Sequence, residues 1–248
     1  MNLIIVTDSD KKNDLFLLND YRAKHIIEIL RSNAGDFIEI GILNGPQGQA
    51  EIVKINDSEV HLRPHKLTEV PLPIPKISLI CALPRPQTLK KVLITSAMMG
   101  VENIYLIRAN RVEKSFFQSP LLQENSFNQF LIEGLSQGKN TRLPNVTIHD
   151  RFKRFFENEF PIILNKYPEE PILLLSDKES SQNLSKFYSN NTSLLVAIGP
   201  EGGWVPFELE FMESHGFQQF TLGRWVLRVE TAVAGLLNQI ELLKMISR

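Results

Sequence analysis

The chain has 248 residues, 43% hydrophobic and 22% charged, enough for one large domain or two of modest size and ordinary for a globular protein. With 27 basic and 28 acidic residues the formal net charge is −1, which excludes a uniformly basic nucleic-acid binder. The single cysteine, Cys81, excludes a disulfide framework and a cysteine-rich zinc site within one chain. No apolar run approaches bilayer length, and residues 1–8 lack the basic flank and long apolar stretch of a signal peptide, so a cytoplasmic protein without a membrane segment is expected.

Charge is unevenly spread: −3 over residues 1–70, +4 over 71–150 and −2 over 151–248, so a local basic patch can attract phosphates although the total does not. In the first stretch Asp20 is placed to cap a helix whose apolar positions are Ile26, Ile29 and Leu30. Strand-like runs follow at 37–42, 50–53 and 60–62, separated by Asn44-Gly-Pro46 and Asn56-Asp-Ser58 turns, and predict a small β-rich domain over 1–70. Prolines at 71, 73 and 75 then predict a stiff connector over 71–76.

From residue 77 strands alternate with helices. Residues 77–82 and 103–107 read as strands flanking a helix over 89–99 that ends at Gly100, a βαβ unit. Strands of such a unit run parallel, so the loop holding Leu83-Pro-Arg-Pro86 and the one holding Arg108, Arg111 and Lys114 leave the same edge of the sheet. Each cation read singly is also compatible with solvated surface. Phe152, Phe155 and Phe156 read as core, and residues 171–175 as another buried strand with Ser176-Asp177 as its exit loop. Glu133 and Gln137, four apart, share a helix face.

Two glycine-bearing loops close the chain. Leu194-Leu-Val-Ala-Ile198 is a short unbroken apolar run, the pattern of a strand buried on both faces. Gly199, Gly202 and Gly203 let the backbone turn and approach a ligand closely, and Pro206 starts a helix that Gly216 stops. Residues 217–222 form the next strand, Gly223 opens the second loop, and Val233, Leu236, Leu237 and Ile240 recur at helical spacing. Both loops sit at carboxyl ends of strands, where open α/β sheets bind ligands. Neither carries GxGxxG, and GxxxxGK[ST] is absent, which removes the best signal for dinucleotides and nucleoside triphosphates. The five histidines, His25, His61, His65, His149 and His215, show neither HExxH nor HxxH spacing, so no metal is expected.

Ile198-Gly-Pro-Glu-Gly-Gly203 and Leu227-Arg-Val-Glu-Thr-Ala232 resemble the two signature loops of the RsmE-type methyltransferases, which methylate N3 of a uridine in 16S ribosomal RNA. The likeness extends over 77–240 through Leu83-Pro-Arg-Pro86, Arg111-Val-Glu-Lys-Ser115, Gln118-Ser-Pro120 and Glu133-Gly-Leu-Ser-Gln-Gly138. It implies a SPOUT fold over 77–248, an α/β parallel sheet with a C-terminal trefoil knot, and a PUA-like β-barrel for RNA docking over 1–70, where His25 and Arg31 match loosely. Knots are nearly absent from proteins, so periodicity alone predicts an ordinary doubly wound sheet. The chain departs from the family pattern at Ser136, where a second acidic residue is usual, and at Arg224-Trp225, where Pro-Arg is usual.

The resemblance implies S-adenosylmethionine held by Leu175, Ile198, Gly199, Pro200, Glu201, Gly202, Gly203, Leu222, Gly223, Val226, Leu227, Arg228 and Thr231. It also implies a homodimer, RNA contacts from Arg31, Arg85, Arg111 and Lys114, and a small ribosomal subunit as partner. The donor is already activated, so the enzyme has mainly to align nucleophile, methyl carbon and sulfur. The N3 proton must leave: Glu230 is the candidate acceptor, directly or through water, and Arg228 the candidate partner of the resulting anion. N3 lies on the base-pairing edge, so the target must be unpaired or flipped. Two other readings stay open: a knotted methyltransferase of another RNA position, such as a ribose 2′-hydroxyl, and a noncatalytic RNA-binding assembly factor.

Overall fold

The computed structural model describes residues 2–69 and 75–247; of the proline connector expected at 71–76, residues 71–74 lie outside the described residues. The chain forms two compact units, residues 1–71 with 132–143, and residues 72–131 with 144–248. The segment 132–143, which sequence order assigns to the second domain, thus clusters with the first.

The first unit holds β1 (Ile4–Val6), β2 (Lys11–Lys12), β3 (Leu15–Leu18), α1 (Tyr21–Lys24) continued by a π-helical stretch (His25–Leu30), β4 (Phe37–Ile42), β5 (Gln47–Ile55) and β6 (Val60–Thr68). Its sheet runs β1-β4-β5-β6-β3-β2, parallel between β1 and β4 and antiparallel elsewhere. Alternate residues of these strands, Phe16 and Leu18, Ile38 and Ile40, Ala50 and Ile52, Val60 and Leu62, turn into one core with Ile26. Asp20 caps α1, accepting a bond from the Arg22 amide at 2.9 Å. Ile29, expected on the apolar face, is exposed: the i→i+5 winding turns through less angle per residue, which carries position 29 off the face holding Ile26. Ser136 belongs with this unit, its hydroxyl donating to the Leu3 carbonyl at 2.6 Å while the Leu3 amide donates to the Ser136 carbonyl at 3.0 Å.

The second unit holds β7 (Ile77–Ala82), α2 (Pro86–Met98), β8 (Asn103–Ile107), the start of α3 (Glu124–Gly138), β9 (Asn145–His149) and α4 (Phe152–Arg154). After α4 come a π-helical stretch (Phe155–Glu159), α5 (Phe160–Leu164), β10 (Ile172–Ser176), β11 (Leu194–Ile198), α6 (Pro206–Glu213), β12 (Gln218–Phe220) and α7 (Val229–Ile246). Its sheet is wholly parallel, ordered β12-β10-β11-β7-β8-β9. Every residue of β7 and β11 is buried, as strands covered on both faces require. Phe155 and Phe156 are fully buried, as their sequence predicts, with Phe160 buried and Phe217 beside them, Phe156 and Phe217 ring centroids 5.8 Å apart; Phe152, also expected in the core, is only half-buried at the start of α4. Because all strands run one way, the loops after β7, β8, β9, β10, β11 and β12 all emerge at one edge, where open α/β sheets bind their ligands.

Candidate active site

Ile198, the last residue of the buried β11, delivers the chain into the first glycine loop. The Gly203 amide donates to the Pro200 carbonyl at 2.8 Å and closes a turn in which Gly203 takes φ +76°. Trp204 folds back over the loop, and a Cβ at Gly199 would lie 3.1 Å from its indole nitrogen, so only glycine admits this approach without displacement. The indole Nε1 is buried without a hydrogen-bond partner, an unmet donor in the wall of the loop.

Neighbouring loops grip this one. The Arg111 guanidinium, from the loop after β8, donates to the Gly202 carbonyl, and Arg85, from the loop after β7, lies 3.6 Å from the Glu201 carboxylate. Two residues expected on an RNA rim are thus bound to the glycine loop. Lys114 is exposed in a short 3-10 helix (Lys114–Gln118). Arg31 is exposed in the first unit, at φ +52° where the π-helical stretch ends.

Leu175 is buried one residue before the end of β10, and Pro200 is buried in the first loop. The second loop starts at Leu222, whose carbonyl accepts from Gln239 Nε2 at 3.0 Å, tying it to α7. Gly223 has φ +131°, a conformation side-chain-bearing residues rarely adopt, and no atom lies within 4 Å of where its Cβ would be. The Arg224 guanidinium stacks on Trp225, 4.5 Å from the ring centre. Val226 and Trp225 are largely exposed, Leu227 is half-buried, Arg228 is the N-cap of α7, and Thr231 is exposed in its first turn.

Glu230 sits in that first turn with Lys91 of α2 at 3.3 Å. Its own backbone N–H, then Lys91 and Arg228, hold its carboxyl below the ordinary range, so it is ionised at neutral pH. Cys81 is fully buried and its thiol is pushed up to about 12 by burial, with Glu201 adding to the effect, which excludes it as a nucleophile. Glu133 and Gln137 are exposed and bonded to each other at 3.2 Å. Among the described residues no group of three or more His, Cys, Asp or Glu is placed to hold a metal ion, and no helix is long and apolar enough to cross a membrane.

Two glycine loops leave this edge of the sheet, one with an orphaned indole N–H in its wall and one with a glycine that faces open space. Residues 70–241 match the family model of the RNA methyltransferase domain. The chain belongs to the RNA methyltransferase family. It is 27% identical over 234 residues to a ribosomal RNA small subunit methyltransferase E of Treponema pallidum, covering 94% of this chain and 87% of that one. Among solved structures, a probable rRNA-methyltransferase of Porphyromonas gingivalis superposes with TM-score 0.79 at 20% identity, over the full length of both chains. A ribosomal RNA small subunit methyltransferase E of Neisseria gonorrhoeae, bound to S-adenosyl methionine, superposes with TM-score 0.76 at 20% identity, covering 97% of this chain and 98% of that one. At such identities the superpositions establish a shared fold.

One structural residue of this edge escaped sequence reasoning. Glu208, only 2% exposed, accepts from the Asn110 amide at 2.6 Å and the Val205 amide at 3.0 Å, joining the loop after β8 to the start of α6. Its signal was available: Pro206 at the first helical position with Glu two residues on, where a carboxylate reaches back to the N-cap amide.

Proposed function

We propose that the chain is an S-adenosylmethionine-dependent methyltransferase that methylates N3 of a uridine in the 16S RNA of the small ribosomal subunit. The observation that carries this reading is the pair of glycine loops, 199–204 and 222–228, at one edge of a parallel sheet in a chain of the RNA methyltransferase family. The names of the relatives supply the small-subunit RNA, and the neisserial structure supplies the cofactor.

Leu175, Ile198, Gly199, Pro200, Glu201, Gly202, Gly203, Leu222, Gly223, Val226, Leu227, Arg228 and Thr231 would hold the cofactor, largely through backbone amides and carbonyls. The unmet Trp204 N–H, the φ +131° of Gly223 and the space around it fit such a group. When bound, it supplies a methyl group on a sulfonium that needs no further activation. Arg228, at the start of α7, is the cation for the charge that develops on the uracil when N3 loses its proton. Glu230 is ionised and can accept that proton, but Lys91 and the helix terminus lower its basicity, so relay through water to solvent suits it better than a strong direct pull.

A trefoil knot accords with the strand order: β12 lies outside β10, and the loop after β10 is bonded to it through Ser180 Oγ to the Gln219 carbonyl at 3.1 Å and the Thr221 amide to the Gln182 carbonyl at 2.7 Å. A PUA-like barrel over 1–70 accords with the curled mixed sheet of the first unit, with Arg31 as an RNA contact there. Homodimerisation accords with the exposed Trp225, Val226, Leu242, Met245 and Ile246 of the second loop and α7. A ribosomal substrate implies cytoplasmic action.

The test is transfer of labelled methyl from S-adenosylmethionine into unmodified 30S subunits, followed by digestion to nucleosides. Label in 3-methyluridine is expected; label in another nucleoside would keep the enzyme class and overturn the target.

A further inference from the structure

Next to the first glycine loop, a groove of about 540 Å³ opens at the carboxyl ends of β8 and β9. Its floor is rigid: the Arg108 amide donates to the His149 carbonyl at 2.9 Å, and the buried Glu208 ties the Asn110 and Val205 amides together. Three cations line it, Arg108, Arg151 and Lys153. Asp150 is on the wall as well, and the Glu208 carboxylate is already engaged by backbone amides. Among the described residues neither Arg108 nor Arg151 has a carboxylate within 4.0 Å, in contrast to Arg85, held by Glu201.

An aromatic ring accompanies these charges. Phe207, in the first turn of α6, is 46% exposed, and the Lys153 ammonium lies 5.0 Å from its ring centre. An apolar ring kept in water beside uncompensated guanidinium groups suits a ligand with both a π-face and a negative backbone. Unpaired RNA has both; an acidic peptide has only the charge.

We propose that this groove is an RNA subsite beside the methylation centre, in which Arg108 and Arg151 take phosphates of an unpaired stretch and Phe207 stacks one of its bases. The proposal rests on the reading of the chain as an RNA methyltransferase and adds Arg151 and Phe207, which the sequence motifs did not single out, to Arg108, which they did. Its consequence is selectivity for substrates with single-stranded RNA next to the target.

The experiment measures binding of a fluorescent single-stranded RNA oligonucleotide, an RNA duplex of equal length and poly-glutamate to the full chain and to R108A/R151A, F207A and F207W. S-adenosylmethionine affinity by calorimetry controls for folding and for the cofactor site. The double variant is expected to bind the single strand at least about tenfold more weakly, with the slope of log K against log salt reduced by about 1.4, two phosphates' worth. F207A should lose about five- to tenfold for the single strand and little for the duplex, with F207W restoring it, in line with one base stack. Unchanged RNA affinity and salt slope, an equal loss toward poly-glutamate, or a parallel loss of S-adenosylmethionine affinity would each overturn the subsite. Wild-type chain that binds RNA in this way yet transfers no methyl group would count against the proposed reaction and leave the groove standing.

Discussion

The two units solve the same burial problem in opposite ways. In the first, strands alternate, so Ala50 and Ile52 or Val60 and Leu62 face the core while their neighbours Gln49, Glu51, His61 and Arg63 stay on the other face. Its charged cluster is a brace: Arg22 bonds Asp10 at 2.7 Å, Asp20 at 2.7 Å and the Ile5 carbonyl at 2.8 Å. In the second, every residue of β7 and β11 is buried, Ser78 among them with its hydroxyl bonded to Tyr167 and Asn103, so neither strand offers an exposed polar side chain along its length. A two-sided apolar strand therefore concentrates chemistry at an edge, and an alternating one disperses it.

The largest test of this contrast removes a cation from the crowded edge. Arg228→Ala should lower turnover by about 10²-fold or more while leaving folding intact; full activity would take Arg228 out of the mechanism. Next comes the brace under the same edge. Glu208→Ala strands two backbone N–H groups and should cost about 3 kcal/mol in urea denaturation, with the m-value unchanged; a cost under about 0.5 kcal/mol would mean that water replaces the carboxylate freely.

A smaller effect is expected in the second loop. Gly223→Ala forces a side-chain-bearing residue to φ +131°, at about 1–2 kcal/mol, read by calorimetry as about tenfold weaker S-adenosylmethionine binding. Unaltered affinity would argue that the loop does not touch the cofactor. The smallest effect belongs to the first unit. Burial alone would raise the carboxyl of Asp10, but hydrogen bonds from Arg22 and the Thr7 amide outweigh it and hold Asp10 below the usual range; Asp20 is lowered in the same way by Arg22. The unfolded chain therefore binds these protons first, and the stability they give is present above about pH 4 and lost as pH falls through the folded-state values. Amide exchange in β1 and α1 should accelerate over that acid range, and Arg22→Gln should bring faster exchange at neutral pH, by about 1 kcal/mol of opening free energy. Exchange that ignores both acid and the substitution would deny the cluster a stabilising role.

What could be read directly was whatever depends on local pattern. β11 announced itself as an apolar run too short for a helix, Gly199 and Gly223 as turns, Pro206 as a helix start, and Asp20 as a cap. The strands β1 and β3 did not, because three or four residues are too few to display a period, and their pairing with β4 and β6 supplies the missing evidence. Ile29 misled because a helical period assumes α winding, and the π-helical stretch departs from it.

The sequence by itself determined an α/β second unit whose glycine loops leave one edge, and the family to which the chain belongs, since both rest on runs of adjacent residues. Tertiary structure alone decided which residues far apart in the chain meet. It tied Arg111 to Gly202, Arg85 to Glu201 and Lys91 to Glu230, and bonded Ser136 to Leu3. It also left Arg108 and Arg151 open in a groove while their neighbours were claimed. A charge pattern along a chain says that a cation is present; only the fold says whether a partner 91 residues away has already neutralised or bound it.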